Sequence, residues 1–260
     1  MTAIRRKKVN VPTLIGRGIT MLILIGLSIL VLIPLVWGNF VEAVTSIDFF
    51  QYLLNTLKVV IPNVIGQVIS CSLVAYGFSR YNFKGKRVWF LILLATMMIP
   101  GQITMIPQFL LYREMGWVNT YLPLTVPAFF ATSGYNIFLI RSYMSGIPRD
   151  FDEAATIDGA GPIRNFTQIM MPMCKPVLTA ITVFTFMGSW NDFNGPLIYL
   201  YDANKYTLSL GLSFFKGLYT SKWNLLMAAT VLVMLPVLVL FFIAQDYIID
   251  GISISSGTKG

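Results

Sequence analysis

The sequence contains no histidine and only two cysteines, Cys71 and Cys174. Without an imidazole the chain lacks the means to build a histidine-based catalytic triad, a histidine zinc site or a histidine proton relay. Two cysteines this far apart provide neither a disulfide framework nor the ligand spacing of a metal site. We therefore expect no metal in this chain and no catalysis of these kinds.

Charge is also scarce, since charged residues make up 12% of the chain and hydrophobic residues 56%. Mean hydropathy is +0.71, whereas a soluble domain carries about 25% charged residues, so the composition indicates a chain whose solvent is lipid. A net charge of +8 would point to an anionic partner in a soluble protein. In a membrane protein basic residues are sorted by topology, so we expect no nucleic-acid partner.

Six apolar runs predict an all-α, polytopic membrane protein with six transmembrane helices in a single domain. Each run approaches the roughly 20 residues that cross a hydrocarbon core of about 30 Å. The first is longer than the apolar core of a signal peptide, about 7–15 residues, so we expect it to be retained. The predicted spans are 17–40, 57–79, 88–112, 117–140, 176–200 and 224–246.

The basic residues predict the orientation of these spans. An even number of spans places both termini on one side of the membrane. Fourteen of the 19 Lys and Arg residues lie in the N-terminal segment, the 80–87 loop, the polar segment 141–175 and the C-terminal tail. Because basic residues are enriched on the cytoplasmic side, we expect both termini and segment 141–175 in the cytoplasm, and an outward loop at 201–223.

Segment 141–175 predicts two short helices at the membrane surface. The first, 148–158, has a proline and three acidic residues at its start and Gly159 after its end, which suits the helix dipole and its caps. The second begins near Pro162, carries Ile163, Phe166, Met170 and Met173 on one side, and is interrupted at Pro172. Helices that lie on lipid usually have a Lys/Arg-rich polar face, so the acidic first helix favours docking to a protein.

Four residues near the predicted spans are candidates for the transport pathway or its outward end: Gln102, Trp190, Asn191 and Asp192. An ionisable side chain within a membrane is a functional candidate, although Asp192 equally suits a boundary position with hydrogen bonds to Asn191 or Asn194. For Trp190 a position at the membrane interface is favoured over a role in stacking on a sugar. Gln102 follows a Pro-Gly break that ordinary helix kinking also explains.

Several segments resemble the permease subunits of bacterial ATP-binding-cassette importers. The clearest is Glu153-Ala154-Ala155 followed by Asp158-Gly159, which is similar to their EAA loop, although Met171 stands where the usual pattern has leucine. Further resemblance, to the carbohydrate-uptake branch and its smaller maltose-transporter permease, lies in 75–85, in Trp190-Asn191-Asp192-Phe193 and in the terminal Lys259-Gly260.

This resemblance implies a permease subunit of the bacterial inner membrane that moves a sugar or oligosaccharide. The implied partners are a second permease forming a heterodimer, two cytoplasmic ATPase subunits and an external solute-binding protein. The chain has no G-x-x-x-x-G-K-[ST] phosphate loop. We therefore expect ATP and magnesium on the ATPase subunits, and neither cofactor nor catalysis here.

By the same resemblance, Glu153, Ala154, Ala155, Asp158 and Gly159 would couple the permease to its ATPase. Glu153 would hold a polar or basic group, the alanines would allow close approach, and Gly159 would permit a sharp exit from the helix. Tail residues Gln245, Gly251 and Lys259 would reach the ATPase pair. The alternative for the loop is a well-capped surface helix without a partner.

Other functions remain open at this point. A related permease for amino acids, peptides or polyamines would share the same loop. An autonomous secondary transporter would need coupling-ion sites near the midplane and internal repeats, and the nearly uncharged spans provide little for either. A membrane enzyme would need a catalytic constellation, which the absence of histidine and of paired carboxylates disfavours.

Overall fold

The computed structural model describes residues 37–216 and 222–256, which are mainly helical, as the all-α prediction requires. The predicted first span, 17–40, lies almost wholly outside these residues, which begin with a helical stretch at 37–45. The helices are α1 Phe49–Arg80, α2 Lys86–Thr96, α3 Gly101–Glu114, α4 Leu122–Thr125, α5 Gly134–Ser145, α6 Asp150–Ile157, α7 Pro162–Met173, α8 Lys175–Trp190, α9 Asn194–Tyr199, α10 Leu208–Leu212 and α11 Trp223–Ser256.

Helix α1 is the centre of the fold and contains the predicted span 57–79. Helices α5, α8 and α10 and the segment around α4 all pack against it, and α8 also packs against α11. Pro62 lies inside α1 without ending it. Proline is tolerated in a membrane helix where neighbouring groups satisfy the freed backbone.

The region predicted as one span at 117–140 is broken in its middle. Short helix α4 leads into a 3₁₀ turn at Val126–Phe130, and Ala131 then adopts φ +53 before α5 begins. Side chains of α1 bind this irregular backbone: Ser70 Oγ donates to the Ala128 carbonyl at 2.8 Å and accepts from the Ala131 N–H at 3.1 Å. Asn63 likewise donates to the Leu124 carbonyl at 3.0 Å. Polar side chains of α1 thus replace the hydrogen bonds that the break removes.

Two further predicted spans are bent. Helices α2 and α3 meet at 94° beside Pro100, within predicted span 88–112. Helices α7 and α8 meet at 79°, and α8 ends at Trp190 rather than continuing through predicted span 176–200. Among the described residues, three helical segments are long and apolar enough to cross a membrane, or five if each bent pair is one span. The count of six stays a prediction.

The C-terminal helix α11 extends past the predicted limit of 246. Gln245 and Gly251 lie in this helix, whereas Lys259 lies outside the described residues. The outward loop predicted at 201–223 is described through residue 216 and contains a 3₁₀ turn, Ala203–Lys205, and helix α10.

Candidate coupling site

Helix α6 forms where the acidic pattern predicts it, at Asp150–Ile157 instead of 148–158, a difference within the usual scatter of helix ends. All three acidic residues of its first turn lie at the positive end of the helix dipole. The chain leaves the helix through Gly159, whose φ of +76 is costly for a residue with a side chain. The next N–H, that of Ala160, donates back to the Ala155 carbonyl at 2.8 Å.

The two alanines of the motif face different surroundings. Ala155 is 4% exposed, because α6 packs on the π-helical part of α7, Asn165–Met170. Ala154 is exposed, as are Glu153, Asp158 and Gly159. In this conformation four of the five predicted coupling residues are accessible to a partner, and Ala155 serves as the packing contact beneath them.

A buried ion pair joins α6 to the end of α1. Arg80 Nε lies 3.3 Å from Asp152 Oδ2, with the Arg80 side chain 7% and the Asp152 side chain 20% exposed. Arg80 Nη1 also donates to the Ile147 carbonyl at 3.0 Å, and Asn165 Nδ2 donates to Asp152 Oδ1 at 2.8 Å. Arg80 therefore holds the end of α1 and the start of α6 together, and Asn165 adds α7 to the same group.

Sequence reasoning missed this cluster. It counted Arg80 only as one of the basic loop residues and Asp152 only as an acid suited to a helix N-terminus. The available signal was an arginine at the last position of an apolar run, where a charge needs a partner. Nothing in one sequence identifies which of the acidic residues that partner is.

Two isoleucines complete the exposed surface. Ile157 on α6 is 86% exposed and Ile163 on α7 is 80% exposed. We call Glu153, Ala154, Ile157, Asp158 and Ile163 together the coupling surface. Beside it a cleft of about 420 Å³ is lined by side chains of α1, α6, α7 and their flanking residues, among them Arg80, Arg149 and Asp152. Exposed apolar side chains beside charged ones are typical of a protein-binding site.

The sequence placed Ile163 with Phe166 and Met170 on one apolar side of the second helix, and this interpretation is wrong for Ile163. Phe166 and Met170 are buried, whereas Ile163 points to the surface. The helix widens to π geometry from Asn165 onward, and the changed number of residues per turn alters which positions share a face.

The outward-end candidates have mainly structural contacts. Trp190 is 1% exposed, stacks on Phe186 with 5.2 Å between ring centroids, and donates from Nε1 to the Val233 carbonyl at 3.1 Å. It holds α8 against α11 and offers no free face to a sugar in this conformation. Asp192 is half-buried and accepts from the Gly195 N–H at 3.1 Å, which fixes the start of α9.

The remaining candidates are accessible. Asn191 is exposed, and its side chain donates to the Met187 carbonyl of the preceding turn at 2.9 Å. Gln102 is exposed on α3, a helix in which no residue is buried by the described chain. Among the described residues, the side chain of Asp192 binds the Gly195 N–H, and no hydrogen bond joins it to Gln102.

The fold and this loop can now be compared with known proteins. Residues 67–254 match the family model described as "Binding-protein-dependent transport system inner membrane component". The match includes α6, α7 and the five residues of the predicted motif. The chain belongs to this family. It is a transport subunit, a multi-pass permease of the inner membrane.

Two relatives show how far the similarity of this permease extends. It is 33% identical over 223 residues to the arabinooligosaccharides transport system permease protein AraQ of Halalkalibacterium halodurans, covering 85% of this chain and 79% of that protein. It is 32% identical over 219 residues to the trehalose/maltose transport system permease protein MalG of Thermococcus litoralis, covering 83% and 78%.

A solved structure shows the same fold. One chain in the crystal structure of a bacterial ABC transporter involved in the import of the acidic polysaccharide alginate superposes with a TM-score of 0.72 at 22% identity. The superposition covers 95% of the permease and 99% of that chain.

Proposed function

We propose that this permease forms half of the translocation pathway of an ATP-binding-cassette importer for a sugar or oligosaccharide. The observation that carries the proposal is the coupling surface: the exposed acidic helix α6 with Ile157, together with exposed Ile163 of α7, tied to the central helix α1 through Arg80 and Asp152. The substrate class is supported by relatives named for arabinooligosaccharides and for trehalose and maltose.

The proposed partners divide the work. Two ATPase subunits bind ATP and magnesium in the cytoplasm, and one of them receives α6. When the ATPase pair closes, α6 moves with it, and the ion pair between Arg80 and Asp152 transmits the movement to α1. The spans then rock against those of a second, different permease subunit, as in other hinge and shear transitions.

An external binding protein would deliver the sugar to the outward loop. The start of that loop is held by Asn119, whose Oδ1 accepts from the N–H groups of Tyr201 and Asp202, both at 3.1 Å. Lys205 Nζ adds a hydrogen bond to the Asn119 carbonyl at 3.0 Å. A loop held in this way offers a defined surface to a docking partner. Both termini would lie in the cytoplasm, with α6.

Reconstitution tests the function directly. The permease, its second permease and the ATPase subunits are placed in vesicles with the binding protein, and uptake is measured for sugars, amino acids, peptides and polyamines. The expected result is ATP-dependent uptake of an oligosaccharide that the binding protein also retains. Uptake of a non-sugar solute only would overturn the substrate class, and uptake without the ATPase would overturn the importer mechanism.

The coupling surface has its own test. We expect Ile157→Asp to release the ATPase from the purified complex, because a charge replaces an apolar side chain that is 86% exposed in the free subunit. Removing one good apolar contact costs roughly 1.5–3 kcal/mol, or tenfold or more in affinity. Thr167→Asp introduces the same charge at an exposed position of α7 and is the matched control. Equal ATPase retention by both variants would remove α6 from the interface.

A further inference from the structure

A small cavity lined by three cations lies where α1 ends, α2 begins and α5 approaches its last turn. Its volume is about 260 Å³, and Phe78, Lys86, Arg87, Phe90 and Arg141 line it. None of these residues lines the cleft beside the coupling surface. The cavity is therefore a separate feature of the permease, and the proposed transport cycle does not use it.

Arg141 is held in place but has no carboxylate partner among the described residues. Its guanidinium carbon lies 4.0 Å from the centroid of the Phe90 ring, so stacking fixes the plane of the cation. Its Nε is buried and donates no hydrogen bond to any part of the chain that the structure describes. A buried donor without an acceptor costs free energy, and in native proteins such a group usually indicates a water, an ion or a ligand. The stacked guanidinium is positioned to receive an anion.

The charge around the cavity is not balanced by the described part of the chain. The ion pairs of the described residues involve Arg80, Arg113, Lys205 and Lys222, none of which lines the cavity, and no described carboxylate lies within 4.0 Å of Lys86, Arg87 or Arg141. Within the same described ranges, Lys86 Nζ donates only to the Tyr81 carbonyl, at 2.7 Å. Three like charges around one small cavity repel one another, and an anion from outside the chain would relieve this repulsion.

The surroundings indicate what kind of anion fits. The cavity combines the cations with two aromatic rings, Phe78 and Phe90, whose centroids are 5.5 Å apart. The turn of α2 that follows is apolar and exposed: Val88, Trp89 and Leu91 are 56–59% exposed, and no residue of α2 is buried. Cations beside an exposed apolar helix at the end of a span match the boundary between lipid headgroup and acyl chain.

We propose that this cavity binds the phosphate group of an anionic phospholipid from the cytoplasmic leaflet. Arginine and lysine are the side chains that recognise phosphate, and basic pockets between membrane helices on the cytoplasmic side bind anionic headgroups. The proposal rests on the proposed orientation, with the 80–87 loop in the cytoplasm. It does not depend on which solute the permease transports.

Lipid retention by the purified transporter tests the proposal. The assembled complex is stripped of lipid in detergent and mixed with phosphatidylglycerol or with phosphatidylcholine of the same acyl chains, and bound lipid is counted by native mass spectrometry. We expect preferential binding of phosphatidylglycerol. Lys86→Gln, Arg87→Gln and Arg141→Gln each remove one charge from the cavity. Each variant should weaken the binding of phosphatidylglycerol about fivefold, since a basic residue near anionic lipid contributes about 1 kcal/mol.

Matched variants separate a site from general attraction. Lys84→Gln removes one charge from the same loop at a residue that does not line the cavity, and should change binding less than about twofold. Because Arg87 is exposed, we expect Arg87→Gln to fold even if Arg141→Gln does not. Arg141→Lys should retain more binding than Arg141→Gln, because it keeps the charge and loses only the planar fork.

Three results would overturn the proposal. The first is equal retention of phosphatidylglycerol by the wild type and by both Arg87→Gln and Arg141→Gln. The second is displacement of the lipid by inorganic phosphate at equal concentration, which would assign the cavity to a soluble anion. The third is loss of the ATPase or the second permease from Arg87→Gln while lipid binding is unchanged, which would assign it to a subunit interface.

Discussion

Arg80 is the residue on which the proposed coupling depends most. It occupies the last position of α1, and its side chain contacts both the Asp152 carboxylate and the Ile147 carbonyl. Removing one partner of a buried ion pair leaves an uncompensated charge, which is more damaging than replacing both partners. The cluster is therefore sensitive to single changes and more tolerant of paired ones.

We expect Arg80→Ala to lower the stability of the assembled permease by about 3 kcal/mol, the lower end of the range for buried pairs, because Asp152 keeps some contact with solvent. ATP-driven uptake should fall further than stability alone explains, since α6 loses its link to α1. Thermal unfolding and vesicle uptake measure the two effects. Arg113→Ala breaks an exposed ion pair with Glu114 and should change stability by less than about 1 kcal/mol. Similar losses in both variants would mean that the buried pair has no special role.

Gly159 is the second sensitive residue. We expect Gly159→Asp to insert normally and to abolish transport, because the new carboxylate lies beside exposed Asp158 and the backbone is held at φ +76. An added Cβ meets no atom within 4 Å, so the effect would come from strain and charge and not from overlap. Left-handed backbone costs a residue with a side chain roughly 1–2 kcal/mol.

Gly161 provides the matched control for this variant. It also has open space around it, but its φ is −71, a value that any residue adopts. Gly161→Asp should therefore retain most of the uptake measured in vesicles. Normal uptake by Gly159→Asp would contradict the assignment of this turn to coupling.

At the scale of the element, α1 and the broken segment around α4 support each other. Ser70 both donates to and accepts from the backbone of the 3₁₀ turn. Ser72, two residues on, is equally buried but donates only to the Val68 carbonyl of its own helix. Two similar serines on one helix thus have different partners.

We expect Ser70→Ala to destabilise the permease by about 2 kcal/mol, because it leaves the buried Ala128 carbonyl without this donor and the half-buried Ala131 N–H without this acceptor. Ser72→Ala should cost less than about 1 kcal/mol, since the Val68 carbonyl keeps its place in the helix. The free energies of unfolding in detergent, measured side by side, check the difference. A larger loss for Ser72→Ala would show that the break does not depend on α1.

The breaks themselves show where sequence reasoning reaches its limit for elements. Hydropathy reports composition, so the run at 88–112 reads as a single span although the chain bends by 94° inside it. The run at 117–140 overlaps a segment, Leu122–Ser145, that is long and apolar enough to be one span, but hydropathy does not show the 3₁₀ turn within it. Helix α6 was predictable because its caps are local in sequence. The link between Arg80 and Asp152 was not, because those residues are far apart in the chain and the acidic pattern has a second, local explanation. The burial of Trp190 was not predictable for a similar reason, since its hydrogen-bond partner lies on another helix.

At the scale of the whole molecule, the orientation of the permease is open to a direct test. Both natural cysteines, Cys71 and Cys174, are buried, so they should react slowly with membrane-impermeant reagents. We expect Lys84→Cys to be labelled only from the cytoplasmic side and Lys205→Cys only from outside. The reverse pattern in intact cells would overturn the proposed topology, and with it the cytoplasmic position of α6.

The hydrogen bonds between α1 and the segment around α4 also have a consequence for biosynthesis. Ser70 and its partner Ala128 are separated by 58 positions in the chain. At a synthesis rate of about 5–20 residues per second, the polar face of α1 waits about 3–12 s before the backbone it must satisfy has been made. During that interval the nascent helix must be shielded by the insertion machinery, and release into lipid should be delayed until the α4 region has emerged.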